Sequence, residues 1–366
     1  MNIRQQTLDH LQQLLAFDSQ NPPRDLSADS PMFEYLRAVL EPDCRVEISD
    51  HGNGHVSFLA VRGAPEVLFN CHLDTVPCGD GWQLPPLQLT LRDERAYGRG
   101  ACDIKGAAAV LLALAETTTL PLALLFTTDE EGSNGCCVER FLQTDRARRY
   151  AQVVVCEPTR CEAVFSHRGY LSVLGHFSGI AGHSSEPQAL SESANHRAVR
   201  WAHAALDYCQ AEADAGRRTC FNLGRLQGGK KSNVIAAACD LHWSARLPPG
   251  ADNQALLDTL TALADAPDHA SWQVPFSGPP LPAAGQTDAA ARAFAEACGL
   301  PVSPPVHFWT EASLFSAAGM PALVLGPGDI AQAHTIDEWV ALDQLDRAAE
   351  LYAAVLAQAL PGSTQA

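Results

Sequence analysis

Short apolar runs alternate with segments of helical spacing along both ends of the chain. The runs lack polar alternation, as is typical of strands buried on both faces of a sheet, and they lie at 66–70 (EVLFN), 122–128 (LALLFTT), 151–157 (AQVVVCE) and 321–326 (PALVLG). Segments 106–118, rich in Ala and Leu, and 342–360 are predicted to be helices. This pattern predicts an α/β domain with a mixed, mostly parallel sheet covered by helices.

The middle of the chain has a different hydrophobic pattern, in which apolar residues alternate with polar ones. Strands and helices are predicted in the order strand, helix, strand, strand, helix, strand, at 170–179, 191–213, 219–229, 233–250, 254–264 and 271–276. This order indicates a smaller α+β domain of the ferredoxin-like, split-βαβ type. The segment PFSGPPLP (275–282) is predicted to cross back to the first domain. We therefore expect one domain over 1–166 and 277–366, with the α+β domain inserted over 167–276.

Composition narrows the classes of function. The 366 residues are 46% apolar and 18% charged, which describes a globular chain, and the net charge of −17 argues against nucleic acid or an anionic membrane as the main partner. The apolar run 107–115 is too short to span a bilayer, and the N-terminus is too polar for a signal peptide. The twelve cysteines follow no evenly spaced framework, so we expect reduced thiols and a cytoplasmic protein.

The first predicted strand ends in a pair of residues that could carry chemistry. In FNCHLDTVP (69–77), His72 and Asp74 are two positions apart and point the same way if the strand continues. One interpretation is a metal-binding histidine held by a carboxylate, and the other is a core histidine beside a turn-capping aspartate. Taken alone, the pair favours the second interpretation, because a two-residue motif arises easily by chance.

Other predicted strand ends carry the same kinds of side chain. Asp103 lies in GRGACDIKG (98–106), three consecutive carboxylates lie in TTDEEGSNG (127–135), Glu157 lies in CEPT (156–159), and His334 lies in AHTIDE (333–338). Separately, these residues are also compatible with a helix cap or a solvated acidic turn. Together, two histidines and several carboxylates suit zinc, cobalt or manganese better than calcium, and a carboxylate shared by two ions is typical of metal-assisted hydrolysis.

In this order the five motifs resemble the co-catalytic metallopeptidase and deacylase family M20, and the resemblance begins at SQNPP (19–23). It implies two divalent ions, zinc or cobalt. His72, Asp103 and Glu157 would bind one ion, while Asp103, Glu131 and His334 would bind the other, with Asp103 as the bridge. Asp74 would orient His72, Glu130 would be the general base, and the peptide bond after Asp103 would be cis.

The resemblance extends to the inserted domain. His183 in GIAGHSSEP (179–187) would stabilise the oxyanion, usually in the site of the partner subunit, which implies a homodimer whose inserted domain serves dimerisation and closes over the site as a lid. Asn233 and Arg246 would hold a substrate carboxylate. A surface-loop histidine and a surface arginine are the alternatives. The sequence departs from the usual family pattern at His55, at Glu311, and at Ser244 two positions before Arg246.

The resemblance implies hydrolysis of the amide bond of a small N-acyl amino acid, with N-acetyl-L-citrulline first and N-acetyl-L-ornithine next, in arginine biosynthesis. N-succinyl-diaminopimelate and dipeptides remain open. A nucleotide-binding P-loop is rejected, because GRLQGGKKS ends in Lys231-Ser where the motif needs Ser or Thr directly after Lys230, and a predicted strand follows it. No G-x-S-x-G elbow supports a serine hydrolase, and a metal-free scaffold would be expected to lack one of the ligands or Glu130.

Overall fold

A computed structural model of the protein describes residues 2–132 and 135–358, so Ser133 and Asn134 of the TTDEEGSNG motif and residues 359–360 of the predicted last helix lie outside the described residues. The chain divides into two compact units. The first comprises Met1–Phe165, Thr287–Val306 and Thr310–Ala366, and the second comprises Ser166–Gln286 and His307–Trp309.

The elements are numbered along the whole chain. The strands are β1 (Arg45–Asp50), β2 (Val56–Arg62), β3 (Val67–His72), β4 (Thr90–Arg92), β5 (Arg95–Tyr97), β6 (Leu122–Thr127), β7 (Gln152–Val155), β8 (Gly169–Ser178), β9 (Cys220–Gly228), β10 (Ala238–Leu247), β11 (Ala270–Gly278), β12 (Ala322–Val324) and β13 (Trp339–Ala341). The helices are α1 (Ile3–Ala16), α2 (Pro31–Leu40), α3 (Lys105–Thr117), α4 (Cys137–Leu142), α5 (Ala189–Glu192), α6 (Ala194–Asp214), α7 (Asn253–Thr261), α8 (Ala289–Ala297), α9 (Ala312–Ala317) and α10 (Leu342–Gln358).

The first unit is built on a six-stranded sheet in the order β1-β2-β6-β3-β7-β12. Strands β6, β3, β7 and β12 run parallel, whereas β1 and β2 add antiparallel strands at one edge. All residues of β3 and β6 are buried, which explains why their sequences lack polar alternation. Helix α3 packs on β3 and against α1 and α10, while α4 and α9 pack on β2, β7 and β12. The prediction of a mixed, mostly parallel sheet covered by helices is confirmed.

A small three-stranded sheet in the order β13-β5-β4 also belongs to the first unit. Trp339 of β13 pairs with Tyr97 of β5 in antiparallel register. This pairing brings the segment that precedes β13 beside the segment that follows β5, although some 240 residues of sequence separate them. Both segments carry residues predicted to bind metal.

The second unit contains β8, α6, β9, β10, α7 and β11 in chain order, and its strands form an antiparallel sheet in the order β11-β8-β10-β9. This strand order is the ferredoxin-like arrangement, so the predicted α+β type is confirmed. Every second residue of β10, from Cys239 to Leu247, is buried in the core that includes Trp201 of α6. The residues between them, among them Arg246, point to the other face.

Within the described residues, no helix combines the length and the apolarity that crossing a bilayer requires. The twelve cysteines are all free thiols in this structure, and most of them are buried.

Candidate metal centre

The first group of candidate ligands lies at the carboxyl ends of the parallel strands β3 and β7. His72 is the last residue of β3 and only 1% exposed, and Glu157 follows the end of β7 by two residues. The His72 Nε2 atom lies 3.1 Å from Asp103 Oδ1 and 3.7 Å from Glu157 Oε1. One ligand atom from each of the three side chains lies within 4.8 Å of the others, a spacing that suits a single metal ion.

A second group shares Asp103 with the first. The His334 Nε2 atom lies 3.3 Å from Asp103 Oδ2 and 3.0 Å from Glu131 Oε1, and the three side chains again converge within 4.8 Å. The two carboxylate oxygens of Asp103 therefore face different histidines. The His334 side chain is 53% exposed, whereas that of His72 is buried, so the second group lies on the solvent side of the first.

Glu130 and Glu131 are held in place by the carboxylate of Asp74. The backbone N–H groups of Glu130 and Glu131 donate to the two Asp74 oxygens at 3.3 and 3.0 Å, and the side-chain amide of Asn21 donates to the same carboxylate at 2.8 Å. The His72 Nδ1 atom lies 2.9 Å from the Asp74 carbonyl oxygen and 3.5 Å from its carboxylate. Asp74 thus contacts both His72 and the acidic loop, and sequence reasoning missed the second contact. Asn21 was missed too, although its motif, SQNPP, was noted.

Asp129, the first of the three consecutive carboxylates, has a different set of contacts. Its side chain accepts hydrogen bonds from the backbone N–H groups of Cys136 and Cys137 at 2.6 and 2.9 Å, and it lies 2.7 Å from His55 Nδ1. Arg24 contacts the ring of the same histidine. The sequence could place Asp129 next to Glu130 and Glu131, but not show that its side chain has partners of its own. His55, a departure from the usual family pattern, is one of those partners.

The carboxylates of the two groups are buried close to one another, and this environment changes their pKa values. Burial raises the pKa of Glu130 and of Glu157 well above its ordinary value, and the charges of neighbouring carboxylates raise it further. Burial, followed by the charge of Asp103, also raises the pKa of Glu131. Burial alone would raise the pKa of Asp103, but its hydrogen bonds with His334 and His72 bring it below its ordinary value.

The pKa values of the two histidines are raised as well. Hydrogen bonds with Asp103 and then Glu131 raise the pKa of His334 to about 10, and contacts with Asp103 and Asp74 raise that of His72 despite the opposing effect of burial. With these raised pKa values the imidazoles hold a proton, and their positive charge balances part of the negative charge of the carboxylates. Divalent cations would replace those protons, and both the nitrogen and oxygen donors are ones that zinc and cobalt accept, so the residues fit such ions.

The remaining predicted site residues lie in the second unit. His183 is on an exposed loop, where its Nδ1 atom lies 2.8 Å from Ser185 Oγ. Asn233 is exposed on a neighbouring loop, and its carbonyl oxygen accepts a hydrogen bond from Ser184 N–H at 3.2 Å. Arg246 is half-buried on β10, with its guanidinium 3.8 Å from the centre of the Tyr170 ring. The structure brings the two loops together and places Arg246 apart from them on the sheet.

The peptide bond between Asp103 and Ile104 is cis, as the family resemblance led us to expect. The fold and this site together define a mixed α/β protein with two candidate metal positions at the carboxyl ends of its parallel strands. The family model described as Peptidase family M20/M25/M40 matches residues 68–358. The chain belongs to this family.

The most informative relatives agree with that assignment. The N-acetyl-L-citrulline deacetylase of Xanthomonas campestris pv. campestris is 48% identical over 355 residues, which are 94% of this chain and 95% of the relative. The acetylornithine deacetylase of Myxococcus xanthus is 33% identical and covers 90% of this chain and 91% of itself. A solved Bacillus subtilis structure, described as a dinuclear metal binding peptidase of the M20 family, superimposes with a TM-score of 0.65 at 15% identity, covering 97% of each chain.

Proposed function

We propose that the protein is a metal-dependent amidohydrolase that cleaves N-acetyl-L-citrulline into L-citrulline and acetate. The observation that carries the proposal is the pair of ligand groups that share Asp103, with Glu130 beside both of them. The 48% identity to an N-acetyl-L-citrulline deacetylase over nearly the whole chain supports this substrate, and the acetylornithine deacetylases among the relatives support N-acetyl-L-ornithine as the alternative. Further alternatives within the family are a succinyl-diaminopimelate desuccinylase, a dipeptidase and a carboxypeptidase.

Two divalent ions, zinc or cobalt, fit the site. His72, Asp103 and Glu157 would hold one ion, and Asp103, Glu131 and His334 would hold the other. Such ions, when bound, lower the pKa of water and polarise an amide carbonyl. Asp74 holds the backbone of both Glu130 and Glu131 through hydrogen bonds. In this proposal the two neighbouring residues have different roles, with Glu131 as a ligand and Glu130 as the base.

Glu130 carries the proton in this proposal. Its carboxylate accepts the proton of the attacking water, and the oxygen of that water forms the new bond to the acyl carbon. The same carboxyl group then gives the proton to the amine nitrogen as the C–N bond breaks, so Glu130 returns to its starting state. Burial and the neighbouring carboxylates raise the pKa of Glu130, and the positive charge of bound ions would lower it again and keep the carboxylate ionised to accept a proton.

Residues of the second unit would bind the substrate. His183 would donate a hydrogen bond to the oxyanion, and Asn233 and Arg246 would hold the α-carboxylate of the amino acid. Stacking on Tyr170 restricts the plane of the Arg246 guanidinium, which favours a two-point contact with a carboxylate. We further propose that the second unit serves as a dimerisation and lid domain and that His183 acts in the site of the partner subunit of a homodimer.

The cellular setting follows from the chemistry and the sequence. Release of a free amino acid from its N-acetyl form fits arginine biosynthesis, and the twelve cysteines without an evenly spaced framework favour the cytoplasm. The partner in this proposal is a small molecule, with no nucleic acid or membrane involved.

A substrate panel tests the proposal. Metal-reconstituted protein would be assayed on N-acetyl-L-citrulline, N-acetyl-L-ornithine, N-succinyl-diaminopimelate and a dipeptide, with release of the amine as the readout. We expect the highest kcat/KM on N-acetyl-L-citrulline. A higher kcat/KM on N-acetyl-L-ornithine would identify that compound as the substrate instead. Cleavage of the dipeptide alone would refute the deacetylase assignment.

A further inference from the structure

Glu338 is a buried carboxylate that belongs to neither ligand group. It is 1% exposed and directly precedes β13. The pairing of β13 with β5 continues past Trp339 and Tyr97, because Gly98 N–H donates to the Glu338 carbonyl oxygen at 3.0 Å. The side chain of Glu338 therefore lies within the loop that joins β5 to α3, the loop that carries Asp103.

Four donors from that loop converge on the Glu338 carboxylate. One oxygen accepts from the backbone N–H groups of Cys102 at 2.9 Å and Asp103 at 3.0 Å. The other accepts from the backbone N–H of Gly100 at 3.1 Å and from Arg99 Nη1 at 2.7 Å. Hydrogen bonds to an ionised acceptor are stronger than neutral ones, and backbone donors in this number fix the course of a loop.

The conformation of the loop depends on Gly100. Its φ of +85° is in the left-handed region, and a Cβ atom there would lie 2.8 Å from Thr75 Cγ2. Only glycine fits this position without strain, and the turn it makes directs the Gly100 N–H toward Glu338. The loop is thus shaped to enclose a carboxylate, although this carboxylate comes from a segment more than 230 residues away.

The same carboxylate connects two ligands of the second group. Asp103 donates its own N–H to Glu338, and His334 lies four residues before Glu338 in the same short segment. His72 and Glu157 of the first group belong instead to β3 and to the end of β7, which the six-stranded sheet holds in place. Loss of the Glu338 contacts would therefore disturb two of the three ligands in the second group but only the shared Asp103 in the first.

We propose that Glu338 is a positioning residue that holds Asp103 and His334 at the spacing a metal ion needs, and so sets the affinity for the ion bound by Asp103, Glu131 and His334. This inference rests on the two-ion site of the proposed function. Residues that support metal ligands in this way typically contribute about 10–100-fold to metal affinity.

The test is a titration of the metal-free, full-length protein with Co²⁺. Calorimetry and the visible absorption of bound cobalt measure the binding. A His334→Ala variant first identifies which of the two binding steps belongs to the second group. In Glu338→Gln we expect this step to weaken about 10–100-fold and the other step to change less than about 3-fold. Equal weakening of both steps, or no change in either, would overturn the inference.

Two further variants keep the result interpretable. Glu338→Asp retains the negative charge beside Arg99 but withdraws the oxygens from the backbone donors, so it should show the same selective loss even if Glu338→Gln does not fold. Glu350→Gln, on the exposed side of α10 where Glu350 pairs with Arg347, should bind both ions like the wild type. If the wild type itself takes up fewer than two ions, the proposed function fails; if it takes up two and the Glu338 variants match it, only this inference fails.

Discussion

Replacement of Glu311 by glutamine should stabilise the metal-free protein much more at pH 8 than at pH 5. Glu311 directly precedes α9, is 4% exposed, and accepts hydrogen bonds from Asn70 Nδ2 at 2.8 Å and from Thr127 Oγ1 at 3.3 Å. Asn70 is in β3 and Thr127 ends β6, so this side chain supports the two strands that lead to His72 and Glu130. Burial, and then the charge of Asp129, raises the pKa of Glu311 to about 8.

The expected size of the effect follows from that value. Below pH 4.5, the ordinary pKa of the group, Glu311 is protonated in both the folded and the unfolded chain. Between pH 4.5 and about 8 the folded protein keeps the proton that the unfolded chain has lost, so stability falls as pH rises, by about 1.4 kcal/mol per pH unit. The cumulative cost reaches roughly 5 kcal/mol at pH 8, an upper limit because structural relaxation and water penetration reduce the penalty.

Glutamine has the shape of the protonated side chain and never ionises. It keeps an oxygen for the Asn70 amide and the Thr127 hydroxyl, which both donate to the same oxygen of Glu311. We therefore expect Glu311→Gln to be more stable than the wild type by at least about 2 kcal/mol at pH 8 and by less than about 1 kcal/mol at pH 5.

Urea unfolding of metal-free wild type and Glu311→Gln at pH 5 and pH 8 measures this difference, with Glu350→Gln as an exposed Glu-to-Gln control that should match the wild type at both pH values. A variant that is less stable than the wild type at pH 8, or one whose advantage is the same at both pH values, would refute the reasoning, because the effect would then not come from ionisation of Glu311.

Three further predictions concern the site. Glu130→Ala should lower kcat about 10²–10⁴-fold while binding two Co²⁺ ions, because in the proposed mechanism Glu130 moves the proton and is not a ligand; an unchanged kcat in a steady-state assay would contradict this. Arg246→Lys should raise KM more than it lowers kcat, since lysine loses both the two-point contact and the stacking on Tyr170, and a fall in kcat alone would contradict the carboxylate assignment. A mixture of His183→Ala and Glu130→Ala chains should regain activity that neither has alone if His183 acts across a dimer interface, whereas full activity of a monomeric preparation would exclude that arrangement.

Local patterns in the sequence predicted the fold of each unit well, because strands buried on both faces have few polar residues and the strands of the second unit alternate. The end of β3 at His72 shows the limit of this approach. The predicted strand ends at Asn70, but β3 continues through the buried Cys71 to His72, and their burial depends on neighbouring strands.

Motifs in the sequence indicated the candidate metal ligands, whereas they did not indicate the residues that contact those side chains. Glu338 contacts Asp103 across 235 residues through a strand pairing of three residues, and no local pattern reveals so short a pairing. In the same way, Asp129 is directly next to Glu130, and only the folded chain shows that its side chain contacts His55.

Hydrolysis of an N-acetyl amino acid at the site that shares Asp103 should require two ions. The most direct test is the rate of N-acetyl-L-citrulline hydrolysis by metal-free protein as Co²⁺ is added in known equivalents. We expect no hydrolysis without metal and a rate that rises to a plateau at about two equivalents per chain. Full activity in the metal-free, chelator-treated protein would contradict the account.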